Sequence, residues 1–422
     1  MKRLLTVILL ISLLALSACL PHGGEPSSSA APTVSTEASS LPTAYYEAYC
    51  PGTDYDDRFA QLYNGFVETE NSYYWLSAEN AYLYYVEKDG SFSGPLCGKP
   101  DCMHSDASCS ANTHKYVPGL SLYDGKLYFI AADGSDPKHV CSLQRMDLDG
   151  TNRERLFYID NSKYAIQKFW VHRGMLFAAA YTSIVENGAP YTDLCLLCGS
   201  LEGEGIAPVI EKKYPSSVCG WPMYTAVFYG EKALFGISFS DPDTSTATNA
   251  VYEYDIAAGH AEERVCAVGC EFQMCGLYMD DTGDIFVSSY GMCWDRQTAP
   301  AVYRLNNGGF EKLFDYADGD EFSRAVLFND LAVGILADTS IHGADTVWIR
   351  RLDGSTVARG KLTRSFLDGH DRLTNGGYDI AADEEHIYCF YSGWLKDEPL
   401  YSFFVRYDIS EDGISEQLLA EY

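Results

Sequence analysis

The chain has 422 residues, with 59 acidic against 30 basic side chains and a formal charge of −29. A surface that negative is repelled by nucleic-acid phosphates and by anionic lipid headgroups, so nucleic-acid binding is excluded as the expected function. Tyr occurs 32 times and aromatic residues make up 14% of the chain, a composition that favours strands over helices.

In chain order, Lys2 and Arg3 precede an apolar run from Leu4 to Leu16. The run is too short to span a bilayer and has the proportions of a secretion signal. Leu16-Ser17-Ala18-Cys19 resembles the lipobox of bacterial lipoproteins. The resemblance implies that residues 1–18 are a cleaved signal peptide and that Cys19 is acylated. It also implies a cell-membrane location on the extracytoplasmic face, firmly held because two or more chains are attached. An ordinary signal peptide with an incidental cysteine is the alternative. Cleavage removes two basic residues, leaving 28 basic against 59 acidic and a charge of −31. Residues 19–44 are rich in Ser, Pro, Ala and Thr and read as a flexible tether. Residues 45–422 are the folded domain.

From Tyr73 onward a unit recurs: an apolar strand, a tight polar turn, an aromatic strand, a loop, then a third strand ending at an acidic turn. The clearest copy is Leu120 to Ile130, followed by Leu143 to Gly150 and Arg153 to Tyr158. Asp124-Gly125 is its hairpin signal. Comparable first turns fall at Glu79-Asn80, Arg173-Gly174, Gly230-Glu231, Thr282-Gly283, Asn329-Asp330 and Asp383-Glu384. The spacing predicts an all-β β-propeller of seven four-stranded blades, and six or eight also fit the period. The pattern resembles the TolB-like propellers of bacterial lipoproteins, a family of unassigned function. That resemblance covers nearly all of Tyr73 to Tyr422 and rests on the blade pattern.

In an up-and-down blade the connections between the second and third strands share a face with the blade-to-blade links. These connections read as long loops, at 182–192, 240–249, 290–300, 338–345 and 392–399. Long loops on a rigid scaffold are where binding usually resides. They carry Tyr191, Asp193, Trp294, Asp295, Arg296, His342 and Trp394, the candidate ligand-binding face. Aromatic faces beside carboxylates can stack on sugars or hold a cation.

The first unit is read as lacking a normal turn between its third and fourth strands, with Pro95 to Cys109 in its place. Cys97, Cys102, His104 and Cys109 there supply three thiols and an imidazole, the four ligands of a closed tetrahedral zinc site. The spacing C-x4-C-x-H-x4-C matches no familiar finger, and a disulfide staple or free thiols are alternatives to structural zinc. A similar segment recurs in the TolB-like lipoproteins. Of 14 cysteines, removing Cys19 and these three leaves an even ten. Cys195-Leu-Leu-Cys198 has redox spacing but sits in an apolar strand, where residues three apart face opposite sides. Cys219, Cys266, Cys270, Cys275 and Cys293 are expected in disulfides or buried.

No G-x-S-x-G elbow, H-E-x-x-H helix or phosphate-binding glycine loop is present. Asp147-Leu-Asp-Gly150 resembles a calcium loop but occupies the position of an ordinary acidic turn. The resulting expectation is a membrane-anchored binding module for a glycan, peptide or envelope protein. A propeller enzyme acting on glycans, as hydrolase or lyase, is the alternative.

Overall fold

In the computed structural model, residues 49–421 are described except 60–64, 78–79, 106–107, 115–116, 118, 133–140, 161, 291, 294–295, 307, 317–322, 329–330, 337–342, 369–373, 384, 395–399 and 411–412. Seven four-stranded antiparallel sheets follow one another, each built from consecutive strands, as the repeat predicts. Blade 1 runs Phe66–Glu68, Ser72–Leu76, Leu83–Glu87 and Ser93–Pro95, and blade 2 Ser121–Tyr123, Lys126–Ala132, Cys141–Asp147 and Glu154–Ile159. Blade 3 comprises Ala165–His172, Met175–Glu186, Ala189–Ser200 and Ala207–Pro215. Blade 4 comprises Gly220–Tyr229, Lys232–Asp241, Thr246–Asp255 and His260–Cys270. Blade 5 has Gln273–Met279, Ile285–Tyr290, Ala301–Asn306 and Gly309–Asp315, with a two-stranded ribbon (Met292–Cys293, Arg296–Gln297) inserted. Blade 6 has Ser323–Phe328, Leu331–Leu336, Asp345–Arg351 and Thr356–Leu362, and blade 7 Thr374–Ala382, His386–Trp394, Leu400–Ser410 and Gly413–Glu421. Among the described residues helix is confined to three 3-10 turns.

Inner strands are apolar on both faces because each blade is covered on both sides. In blade 3, Leu176, Ala178 and Ala180 face the core shared with blade 2, while Phe177 and Ala179 face the core shared with blade 4. Cys195 and Cys198 divide the same way, one into each core, so they are buried packing residues rather than a thiol pair. Fully burying one such large side chain contributes about 1.5–3 kcal/mol. Outermost strands alternate instead, as in Gly413–Glu421, because one face meets water. The hairpin at Asp124-Gly125 has positive φ at both residues (48° and 67°), as does Arg173-Gly174 (46° and 72°). Both turns fall where the sequence signals place them.

Three expectations are corrected. Glu79-Asn80 is not the first turn of blade 1, because residues 77–82 join its second and third strands. The first turn is 69–71, where the Thr69 amide donates to the Ser72 carbonyl at 2.9 Å. Blade 1 also has an ordinary third-to-fourth-strand turn, 88–92, closed by the Gly90 amide on the Glu87 carbonyl and by Gly90 at φ 72°. The cysteine segment therefore lies in the link from blade 1 to blade 2. Finally, 182–192 and 240–249 are not loops. Blade 3 continues as paired strands to Glu186 and Ala189, joined by Asn187-Gly188 alone (φ 51° and 81°). Blade 4 pairs to Asp241 and Thr246.

Among the described residues the ring closes between blades 7 and 1 by side chains, since neither sheet there exchanges a strand with the other. Phe66, Tyr73 and Trp75 pack on Tyr388 and Phe404, with Trp75 and Phe404 ring centroids 5.0 Å apart and Phe66 and Tyr388 5.1 Å apart.

Candidate metal centre and binding face

The link from blade 1 to blade 2 folds against the third-to-fourth-strand turn of blade 2. Gly98 donates its amide to the Gly150 carbonyl at 3.2 Å. A Cβ on Gly98 would lie 2.4 Å from Thr151 Cγ2, and one on Gly150 would lie 2.9 Å from the backbone of Cys97. The approach requires glycine on both sides. At the far end of the link, Leu83 donates to the Ala111 carbonyl and Ala132 to the Thr113 carbonyl, so it is tied to both blades.

Within this frame the Sγ atoms of Cys97, Cys102 and Cys109 and a ring nitrogen of His104 lie within 4.8 Å of one another. His104 adopts φ 51°, which turns its ring back toward the thiols although it is only two residues from Cys102. Its Nδ1 is 3.4 Å from Cys109 Sγ. Tetrahedral zinc with bonds near 2.3 Å sets sulfurs about 3.8 Å apart, so the cluster needs only a small contraction to close on a metal.

The surroundings favour a thiolate at Cys97 and oppose one at Cys109. Burial opposes charge on Cys97, but the Ser110 hydroxyl (3.2 Å), the Lys99 and Ser110 amides and the Cys102 thiol outweigh it, pulling the thiol down to about 6. Burial pushes Cys109 up to about 12, with the neighbouring thiols adding to the rise. Arg153, whose guanidinium burial lowers to about 10, remains charged at neutral pH beside Cys109. It donates to the Ser110 and Asn112 carbonyls at 2.7 Å and to Gln144 at 2.6 Å, and stands over the Phe129 ring. Three thiolates around Zn²⁺ carry a net charge of −1, which this cation complements. The residues fit structural zinc: all four ligands come from the chain, leaving no open position for substrate.

The other described cysteines are not joined to one another by disulfides. Cys141, Cys195, Cys198, Cys275 and Cys389 are buried, while Cys219 and Cys270 are half-buried and Cys266 is exposed. Of the five expected in disulfides or buried, Cys275 is buried, Cys219, Cys266 and Cys270 are neither bridged nor fully buried, and the side chain of Cys293 lies outside the described residues.

Of the candidate binding-face residues, Tyr191 and Asp193 sit on the projecting part of Ala189–Ser200. Tyr191 pairs with Ile184 and Pro215, and Lys213 holds its ammonium 5.8 Å from the ring centroid while bonding Glu186 at 2.5 Å. Asp193 lies between Thr182 and Lys213 with a buried carboxylate oxygen that lacks a hydrogen-bond partner. Arg296 lies on the blade 5 ribbon and Trp394 ends the second strand of blade 7, with their side chains outside the described residues. Trp294, Asp295 and His342 also lie outside them. Connectivity places Tyr191, Asp193, Arg296 and Trp394 on the mouth opposite the first-to-second-strand turns, but on blades 3, 5 and 7 rather than in one patch.

At the other mouth the structure reveals charged groups the sequence reading passed over. Asp54, Asp56, Asp57 and Arg58 run past Glu68 and Asp383. Arg58 is 2.6 Å from Asp56, 3.2 Å from Glu68 and 3.5 Å from Asp383. Burial opposes its charge, but these carboxylates outweigh it and raise its proton affinity. Asp57 accepts the Phe228 amide at 3.0 Å on both oxygens, and burial raises its carboxyl well above the usual range. Asp-Asp-Arg after an aromatic was the only local signal, and it matches no motif.

No family model matches this sequence, and no curated protein does. Solved structures resemble its fold. The β-propeller domain of the Trilobed protease from Pyrococcus furiosus, described as having an open velcro topology, is 12% identical over 90% of this chain and 99% of its own, with TM-score 0.45. An acylaminoacyl peptidase from Pyrococcus horikoshii is 13% identical over 87% of this chain, which spans about half (53%) of the peptidase, with TM-score 0.46. An ulvan lyase of a polysaccharide lyase family is 11% identical over 89% of this chain and 98% of its own, with TM-score 0.49.

Proposed function

We propose that the chain is a lipid-anchored extracytoplasmic binding module. In this reading a structural zinc pins blades 1 and 2, and the mouth bearing the second-to-third-strand hairpins receives a glycan, peptide or envelope protein. The observation that carries the reading is the pair of projecting hairpins on blades 3 and 4. Beside them the two blades are braced by Tyr214, on the fourth strand of blade 3, against Phe239 of the blade 4 hairpin, with centroids 4.5 Å apart, and by Lys212 with Glu263 between the two fourth strands at 3.0 Å. The blade 3 hairpin leaves Val185 74% exposed and the fourth strand of blade 4 leaves Val268 69% exposed, apolar surface that gains by being covered. Rigid hairpins bind with little ordering cost.

At the mouth crossed by residues 54–58 the state of the carboxylates argues against glycan cleavage. Glycoside hydrolysis uses a pair of acids about 5–10 Å apart, free to take up and release protons. Asp54, Asp56, Asp57, Glu68 and Asp383 are all engaged, by guanidinium or ammonium groups or by backbone amides. Zinc with four protein ligands supplies no reactive water either.

The test uses chain lacking residues 1–44, titrated by calorimetry with neutral chito- and xylo-oligosaccharides and with lysine-rich peptides. The acidic surface repels anions, so these are the matched probes. Tyr191→Ala is expected to weaken binding about tenfold, the effect of losing one aromatic contact. Turnover of an oligosaccharide would overturn the binding reading. In cells, Cys19→Ala is expected to move the protein from the membrane to the soluble fraction, and retention in the membrane would overturn the anchor.

A further inference from the structure

We propose that residues 50–59 form a strap that closes the propeller ring, taking the place of the strand exchange the ring lacks. The segment precedes blade 1 and crosses one mouth of the channel, touching the first-to-second-strand turns that surround it. Gly52 accepts the amide of Asp124 in blade 2 at 2.8 Å, and Thr53 accepts that of Arg173 in blade 3 at 2.9 Å. Asp54 takes the Arg173 guanidinium at 2.8 Å, and the Tyr55 amide donates to His172 Nδ1 at 3.0 Å. Tyr55 packs on Phe228 of blade 4 with centroids 5.6 Å apart, and Asp57 accepts the Phe228 amide. The same turns are linked beneath the strap by His172 Nε2 on the Gly230 carbonyl (2.8 Å) and Arg173 on Glu231 (2.9 Å).

Arg58 is the closing element. Its guanidinium lies between Glu68, at the end of the first strand of blade 1, and Asp383, in the first turn of blade 7. These two blades meet at the one seam of the ring where neighbours are not consecutive in the chain. Among the described residues the backbone contributes no covalent link and no ladder hydrogen bond there; side chains do the joining, through the packing of Phe66, Tyr73 and Trp75 on Tyr388 and Phe404 and the Arg406 guanidinium donating to the Tyr73 hydroxyl at 3.3 Å. A seam closed by side chains opens more readily than one whose blades are joined by chain, because opening costs only the contacts of a single interface. Ten residues that engage blades 1, 2, 3, 4 and 7 hold the two ends of the chain in register.

Hydrogen exchange on the intact chain tests this. Arg58→Ala removes the tie between Glu68 and Asp383, and Arg58→Lys keeps a cation there. Amide exchange is compared between the seam, Ser72–Leu76 with Leu400–Ser410, and an interior blade, Lys232–Asp255. Arg145→Ala, which removes an exposed ion pair with Glu154, serves as the control. Arg58→Ala is expected to speed seam exchange about tenfold relative to blade 4, with Arg58→Lys restoring part of the protection. The control is expected to leave that ratio unchanged. Seam exchange equal to wild type, or a rise shared equally by blade 4, would overturn the strap as a closing device.

Discussion

His172 is fully buried, stacks on Phe228 with centroids 4.9 Å apart, receives the Tyr55 amide at Nδ1 and bonds the Gly230 carbonyl at Nε2. Burial lowers its proton affinity below the ordinary imidazole value of 6.5, with Arg173 adding to the effect and Gly230 and Asp54 opposing it. The unfolded chain therefore binds the proton more readily. The contribution of neutral His172 is present above about pH 6.5 and is lost as pH falls below it. His386 runs the other way: its bond with Asp383 at 3.1 Å raises it, against partial burial. Its contribution is complete below 6.5 and lost as pH rises through the folded value. Urea midpoints taken from about pH 5 to pH 8 should show His172→Gln flattening the acid limb and His386→Gln the alkaline limb. If each variant shifts the whole curve without changing either slope, these assignments are wrong. The role of His172 was not legible in the sequence, because Tyr55, Phe228 and Gly230 reach it from elsewhere in the chain, whereas His386 takes its partner from its own turn, three residues back.

Blade 6 is joined to blade 7 by an ion pair that the sequence does not announce. Asp345 opens the third strand of blade 6, and Arg364 lies in the link beyond it, with Nη2 on Oδ1 at 2.6 Å and side chains 0% and 2% exposed. The same guanidinium stands 5.9 Å from the Tyr391 ring of blade 7. Removing one partner strands the other charge in the core, so Arg364→Met is expected to cost about 3–5 kcal/mol in urea unfolding. The double variant Arg364→Met/Asp345→Leu is expected to recover much of it, since two apolar groups leave no orphaned charge. A single-variant cost below about 1 kcal/mol, the value of a surface pair, would contradict the buried assignment. At this scale the strand turns were readable: Asp124-Gly125 and Arg173-Gly174 stand where the signals placed them. Asn187-Gly188 carried the same type of signal, but the polar run around it read as a loop, and hairpin pairing overrode that composition.

For the molecule as a whole, a metal centre at the junction of blades 1 and 2 should report on the entire ring. Purified chain is expected to hold one zinc, absent from Cys102→Ser, and chelation should lower the thermal midpoint by removing a ligand bound only by the folded state. Chain without zinc whose Cys97, Cys102 and Cys109 are oxidised would make the segment a disulfide staple instead. The four residues were found from residue type and crowding alone. Their place in the fold was not, because the short strand Ser93–Pro95 gives almost no alternation by which to recognise it. Once that strand was overlooked, the link after it read as a turn within blade 1.

Sequence by itself determined the architecture: a repeat of apolar strands and glycine turns, buried on both faces, has few ways to hide its edges, and radial stacking is one of them. It also determined which side chains could ligate a metal, since three thiols and an imidazole so close in the chain cannot separate far. Tertiary structure alone decided how the ring closes and which charges are neutralised. The partners of Asp54, Asp57 and Arg58 lie as far away as Phe228 and Asp383. Contacts at that separation leave no local periodicity, because they are selected by where the blades converge and not by the residues beside them.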